Sequence, residues 1–305
     1  MKLNQSAFKI DAQQWCQSIE AFIKATFADS HREGIVVSIS GGLDSSVTAA
    51  LCTRAIGKEK VIGLMLPERF GNPEAGYYGR MLAKHLDIRT VQFNISPILR
   101  GLGTLDLFLS AISGREFWKA SVNKNLKKRG HSAGELYVDA LKGTLDPARR
   151  KLIAKVSAKQ RARLLAVYRF AEENNYIVAG SAHKTEQMVG LFVKYGIDDG
   201  ADIMPLKNIF RSQTLQLAEY LGIPADIRHR SPNPDILPGI TDKYIGYFGI
   251  DYLKVDLILL GLQERLPAAE IAAQIGISEQ VVNQIQEIIR LSEFSRNHAL
   301  APIMA

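Results

Sequence analysis

Gly34-Ile35-Val36-Val37-Ser38-Ile39-Ser40-Gly41-Gly42-Leu43-Asp44-Ser45-Ser46 is the stretch whose reading decides the fold. Gly34–Val37 is a short β-branched run, the pattern of a buried strand. Val47-Thr48-Ala49-Ala50-Leu51-Cys52 continues as a helix. A strand therefore runs through a Ser/Gly turn into a helix N-terminus. Glycines let backbone approach a ligand, and the first-turn N–H groups have no partner inside the helix. Such a turn is an anion site, and Ser40, Gly41, Gly42, Asp44, Ser45 and Ser46 are the candidate nucleotide contacts. No Gly-Lys-Ser/Thr follows, so the turn is not a Walker loop. A carboxylate at Asp44, facing phosphates, needs a cation between them, and Mg²⁺ is the hard ion that suits oxygen ligands.

Composition narrows the classes around this turn. The chain has 305 residues, 47% hydrophobic and 23% charged, enough for one large α/β domain with additions. Cys16 and Cys52 are too few for a disulfide framework or a zinc cluster, and Cys52 falls on an apolar helix face. The N-terminal residues lead into no apolar h-region, and Leu257-Ile258-Leu259-Leu260 is far shorter than a bilayer span. No membrane association is expected, and the compartment expected is the cytoplasm. Net charge is +7, yet Arg115–Arg169 alone holds fifteen Lys/Arg against four Asp/Glu. That concentration suits phosphates in some form, or a solvated helix face.

Outward from the turn, strand and helix patterns alternate. Asp11–Phe27 has helical spacing with Asp11 as cap, Val61–Leu66 reads as a strand, Pro73–Leu86 as a helix capped by Asn72, and Arg89–Asn94 as a third strand. This alternation predicts a Rossmann-like parallel sheet with helices on both faces. Residues 97–156 are rich in glycine and basic clusters and fit a lid or an inserted helical subdomain. Lys159–Ala171 is a basic amphipathic helix, with Leu164, Leu165, Val167 and Phe170 expected inward. Tyr176–Gly180 is a fourth strand, running into Ser181-Ala182-His183-Lys184-Thr185-Glu186. After an irregular Pro-rich stretch at Asp226–Asp242, the chain from Asp251 is helical. Ala268–Val282 has helix-turn-helix spacing, but Glu279 and Glu287 make its second helix a poor nucleic-acid reader. The expected division is an α/β domain at 1–250 and a helical extension at 251–305.

The Ser-Gly-Gly-x-Asp-Ser-Ser string resembles the pyrophosphate loop of the ATP pyrophosphatase superfamily, enzymes of the adenine nucleotide alpha hydrolase-like fold that cleave ATP between its α and β phosphates. Gly180–Glu186, Gly190-Leu191-Phe192-Val193-Lys194-Tyr195-Gly196, Ala201–Leu206, Arg211-Ser212-Gln213 and Pro238–Asp242 resemble ammonia-dependent NAD synthetase. The likeness spans about residues 11–96 and 155–296. It implies an enzyme that adenylates the carboxylate of nicotinic acid adenine dinucleotide with ATP and then amidates it with ammonia. By this resemblance Asp44 and Glu186 are metal ligands for Mg²⁺, and Ser181, Arg211 and Asn233 stand near ATP. Lys159, Arg161, Lys194, Asp198 and Asp202 fall at the acid substrate, with Asp44, Lys194 and Arg296 catalytic.

The family's Glu-His-Lys-Arg reads Glu293-Phe294-Ser295-Arg296 here, and Ile197-Asp198-Asp199-Gly200 adds a residue to its Gly-Asp-Gly. A paralogous adenylating ligase on another acid, a tRNA-modifying relative or an inactive nucleotide sensor are the alternatives. The sequence shows no glutaminase segment, so free ammonia, or ammonia from a separate glutaminase, is the expected nitrogen source. The resemblance also implies a homodimer.

Overall fold

The computed structural model describes residues 2–69, 71–104, 133–233, 240–297 and 301–302. Its centre is β1 (Gly34–Ser38), which pairs in parallel with β2 (Val61–Met65) on one side. β4 (Tyr176–Ala179) pairs with it in parallel on the other side. β3 (Arg89–Gln92) lies outside β2, giving the order β3-β2-β1-β4. The chain builds outward from β1 through β2 and β3, then returns to the opposite side with β4. The reversal leaves a crevice at the carboxyl ends of β1 and β4, where parallel sheets bind ligands.

Both faces of β1 are buried, as its unbroken apolar run requires. Side chains alternate along a strand. Ile35 and Val37 therefore pack on α1 (Ala12–Asp29), α2 (Leu43–Ile56) and α8 (Arg211–Tyr220) through Cys16, Ile23, Leu51 and Leu217. Val36 points the other way, into a cluster with Leu64, Val178 and the helices α4 (Ser96–Gly101) and α6 (Pro147–Asn174). Cys16 and Cys52 are both buried core thiols, and burial pushes them up to about 11 and about 12.

Capping residues set the helix ends. Asp11 accepts from Gln14 N–H, and Asn72 accepts from Glu74 N–H at the start of α3 (Pro73–Leu86). Asp87 and Asn175 close α3 and α6 in the left-handed conformation.

Among the described residues, the stretch expected to be a lid or insertion contains most of α4, all of α5 (Ala133–Lys142) and the start of α6. The residues 105–132 of that stretch lie outside the described residues. The basic helix expected over Lys159–Ala171 runs from Pro147 to Asn174, because Asp146 caps it with a bond to Arg149 N–H and Pro147 suits the first helical position. Leu165 corrects the expected inward face: it is 62% exposed, while Ala162, Ala166 and Val167 meet the sheet. Small side chains there bring the helix close, and Leu165 falls on the outer row with the exposed Arg161 and Arg169.

The extension comprises α11 (Tyr252–Gln263), α12 (Ala268–Ile275), α13 (Glu279–Leu291) and α14 (Glu293–Arg296). Ile271, Ala272, Val282, Ile285 and Ile288 share one cluster with Val255 and Ile258, and with Leu3, Phe8, Val189 and Phe210 of the α/β part. The apolar faces of the helix-turn-helix pair are spent on this core, and Arg290 is paired with Glu287 on the outside. No described helix is long and apolar enough to cross a membrane.

Ile35 is fully buried between β2, β4 and α2. Ile35→Ala should lower stability by about 2–5 kcal/mol, read from the urea midpoint.

Candidate active site

A cleft of about 740 Å³ opens at the carboxyl ends of the strands, within the usual size for a small-molecule site. One end is polar, floored by Ser40, Gly42, Asp44 and Ser45. The other is walled by Leu136, Tyr137 and Ala140 of α5, Ile153 and Val156 of α6, and Phe192.

The loop after β1 explains its own composition. Gly41 has φ +72°, and a Cβ there would lie 2.6 Å from Cβ of Tyr78. The backbone can therefore reach this shape against α3 only with glycine. The Ser45 and Ser46 hydroxyls both donate to Gly42 O, at 3.1 and 2.8 Å. Ser40, Gly42, Asp44 and Ser45 face the cleft, whereas Gly41 and Ser46, expected as nucleotide contacts, build the turn from behind.

Asp44, in the first turn of α2, accepts from Arg211 Nη1 at 2.6 Å. Burial opposes its charge, but Arg211, with Lys243 nearby, holds the carboxyl lowered to about 2. Across the floor, Glu186 of α7 (Lys184–Val189) pairs with Lys243 at the start of α10 (Lys243–Phe248). Its carboxyl is also lowered, burial again opposing and Lys243 prevailing. His183 lies between the carboxylates: Asp44, His183 and Glu186 each offer a ligand atom, all within 4.8 Å of one another. The imidazole is fully buried, which lowers its pKa and keeps it neutral; its Nε2 meets the Tyr244 hydroxyl at 3.2 Å. Among the described residues its Nδ1 has no hydrogen-bond partner.

This floor is held from below by Asp256 of α11. Its Oδ1 accepts from the Thr185 hydroxyl at 2.6 Å, and its Oδ2 accepts from both Ser212 N–H at 2.8 Å and the Ser212 hydroxyl at 2.6 Å. Thr185 Oγ1 in turn accepts from Arg211 N–H at 3.0 Å. One buried carboxylate thus sets the spacing of the two helix starts that carry Glu186 and Arg211. Burial raises Asp256 to about 6, against the hydrogen bonds from Ser212 and Thr185.

Ser181, Arg211, Asn233 and Asp198 line the same cleft. Asp198 is raised to about 6 by burial and by the nearby Glu186. Other predicted residues are placed elsewhere. Lys159 is buried and donates to Glu68 Oε1 at 2.8 Å, since an ammonium that deep is held by a carboxylate. Arg161 is exposed and bonds Lys194 O at 3.2 Å. Asp202 accepts from Val178 N–H and the Tyr168 hydroxyl, tying β4 to α6. Lys194 donates to Phe294 O at 3.0 Å and lies over the Phe294 ring. Arg296 spends its guanidinium on Met188 O, Ile289 O and the Ser292 hydroxyl. The last two clasp the end of α7 to α13 and α14 and do not line the cleft.

Several contributors escaped the sequence reading. Arg69, Arg80, Arg163 and Arg230 add positive charge along the cleft. Arg230 donates to Gly41 O at 2.6 Å with its guanidinium 4.1 Å from the Tyr78 ring centre. Glu68, at the end of β2, answers Lys159 and Arg163. Lone Arg, Lys or Asp residues have no spacing to betray them. The capping pair Asp146-Pro147, by contrast, was a readable signal for the helix that walls the cleft.

Two consequences can be measured. Asp256 has its pKa raised on folding, so its contribution to stability is full below about pH 4 and is lost as pH rises through about 6. A rise of that size is worth on the order of 2–3 kcal/mol. Asp256→Asn should remove that decline from urea midpoints taken between pH 4 and 7. Arg296→Ala should lower the melting temperature and reduce activity through misplacement of α7, so ATP affinity and turnover should fall together.

A family model for NAD synthase matches residues 15–137 and 120–299. An NH(3)-dependent NAD(+) synthetase of Coprothermobacter proteolyticus is 34% identical, over 90% of this chain and 94% of its own. One from Mesorhizobium japonicum is also 34% identical, over 89% of each chain. Among solved structures, NMN synthetase from Francisella tularensis superposes with a TM-score of 0.70 at 22% identity, covering 97% of this chain and all of that one. NH3-dependent NAD synthetase from Campylobacter jejuni gives 0.67 at 19%, with the same coverages. The parallel sheet with its loop at the switch point is the adenine nucleotide alpha hydrolase-like fold, and the matched span takes in both carboxylate-bearing helices. The chain belongs to the NAD synthase family.

Proposed function

We propose that this chain adenylates the nicotinate carboxylate of nicotinic acid adenine dinucleotide with ATP and amidates it with ammonia, giving NAD, AMP and pyrophosphate. The observation that carries the reading is the β1–α2 loop facing Glu186 across one cleft, with six cationic side chains around it. In the first step the acid's carboxylate oxygen attacks the α-phosphorus, and the bond to the β-phosphate bridging oxygen breaks. Charge builds on pyrophosphate, where the loop, the N-terminus of α2 and Arg230 stand. In the second step the ammonia lone pair attacks the acyl carbon, AMP leaves with the bonding pair, and a proton is released. Neutral His183 lies buried beside Asp44 and Glu186, and Asp198 lines the cleft.

The family's chemistry implies Mg²⁺. Two carboxylate oxygens of Asp44 and Glu186 within reach of each other suit a hard divalent ion. When bound, it would neutralise phosphate charge at the α-phosphorus. The apolar end, Leu136 to Phe192, suits the flat pyridine ring. Lys159, Arg161, Lys194 and Asp202 are better read as framework for this site than as contacts, given their bonds. The compartment proposed is the cytoplasm and the assembly a homodimer, with Phe22 on α1 and Phe294 on α14 among the exposed apolar side chains.

Pyrophosphate release from Mg-ATP should require both the dinucleotide and, for turnover to NAD, ammonium. Asp44→Asn should reduce it by about 10²-fold or more. Because one solved neighbour carries the name NMN synthetase, nicotinic acid mononucleotide is the competing acid. Release that follows the mononucleotide instead would reassign the substrate.

A further inference from the structure

We propose that Lys243 is a built-in counter-cation: it neutralises Glu186 in the empty cleft, opposes entry of a divalent metal, and yields when nucleotide phosphates arrive. The inference rests on the nucleotide-and-metal reading above and adds a residue that reading does not use.

The floor is balanced in charge. Asp44 faces Arg211 and Glu186 faces Lys243, with neutral His183 between them. A divalent ion entering such a floor finds two carboxylates whose charge is already answered. The two cations are not equivalent. Arg211 is locked: its backbone N–H is bonded to Thr185, its helix start is held by Asp256, and its planar fork is buried. Lys243 carries a point charge on a flexible stem, which can pass from a carboxylate to a phosphate without losing a partner.

Lys243 is also wired to the ligand side of the cleft. Its backbone N–H donates to Pro232 O at 3.0 Å, and the Ser231 hydroxyl donates to Thr241 O at 2.7 Å. Ser231, Pro232 and Asn233 line the cleft themselves. A nucleotide touching those residues therefore meets a segment joined directly to the ammonium. Its phosphates supply the negative charge that draws Lys243 off Glu186. That same transfer frees the carboxylate for the metal, so metal and nucleotide enter together.

Mn²⁺ is the probe, with bound and free ion counted by electron paramagnetic resonance, on full-length protein without nucleotide, acid or ammonia. Lys243→Met and Lys243→Gln should each bind Mn²⁺ about tenfold more tightly than the native chain, at one site. Lys243→Arg, which keeps the charge, should bind as the native chain does. Adding Glu186→Gln to Lys243→Met should abolish the gain, and cooperative melting of each variant confirms that folded protein is compared. Equal Mn²⁺ affinity in the native chain and both uncharged variants would overturn the proposal, as would a gain that survives Glu186→Gln. Which acid is amidated does not enter this readout. NAD formation without the Mn²⁺ gain sinks the counter-cation alone, and the Mn²⁺ gain without NAD formation leaves it standing.

Discussion

Two carboxylates at the floor of a low-dielectric cleft repel each other and resist burial, and the rest of the site is arranged to answer them. Asp44 and Glu186 belong to different helices, so their separation is a tertiary property. Arg211 and Lys243 hold both carboxyls in their charged form, each from a further element. A carboxylate that must stay ionised near phosphate needs fixed cations, and fixed cations need a scaffold. Asp256 is that scaffold's anchor, three hydrogen bonds from a helix that lies outside the sheet altogether. The helical extension is thereby part of the site, and its Ser295 lines the cleft directly.

The sheet determines where this can happen. β1 is covered on both faces, so its only open end is the carboxyl end. The step from β3 on one side to β4 on the other places the Ser181–Glu186 turn beside the Ser40–Asp44 turn. Two strand-turn-helix units that look alike in sequence thus become the two halves of one cleft. α5 and α6 then close the apolar end, which gives the cleft a charged half and an apolar half.

The fold was legible because its signals are local and periodic. The β-branched run at 34–37, the cap at Asn72 and the alternation of strand and helix depend on neighbours a few residues away. The phosphate loop was legible because Gly41 must adopt a positive φ beside Tyr78, and only glycine can. Lys194 and Arg296 stand in matching motifs as if available, while the structure bonds them to backbone carbonyls that leave no mark in sequence. The partner of Lys159, Glu68, is equally hidden in the sequence, 91 residues away.

By itself, the sequence determined the parallel α/β architecture and the glycine turn between β1 and α2, since strand period and glycine conformation are written along the chain. The tertiary structure alone decided which charges meet. Burial assigns Lys159 to Glu68, Arg211 to Asp44 and Lys243 to Glu186, because a charge removed from water must take the nearest opposite charge in space, wherever that lies along the chain.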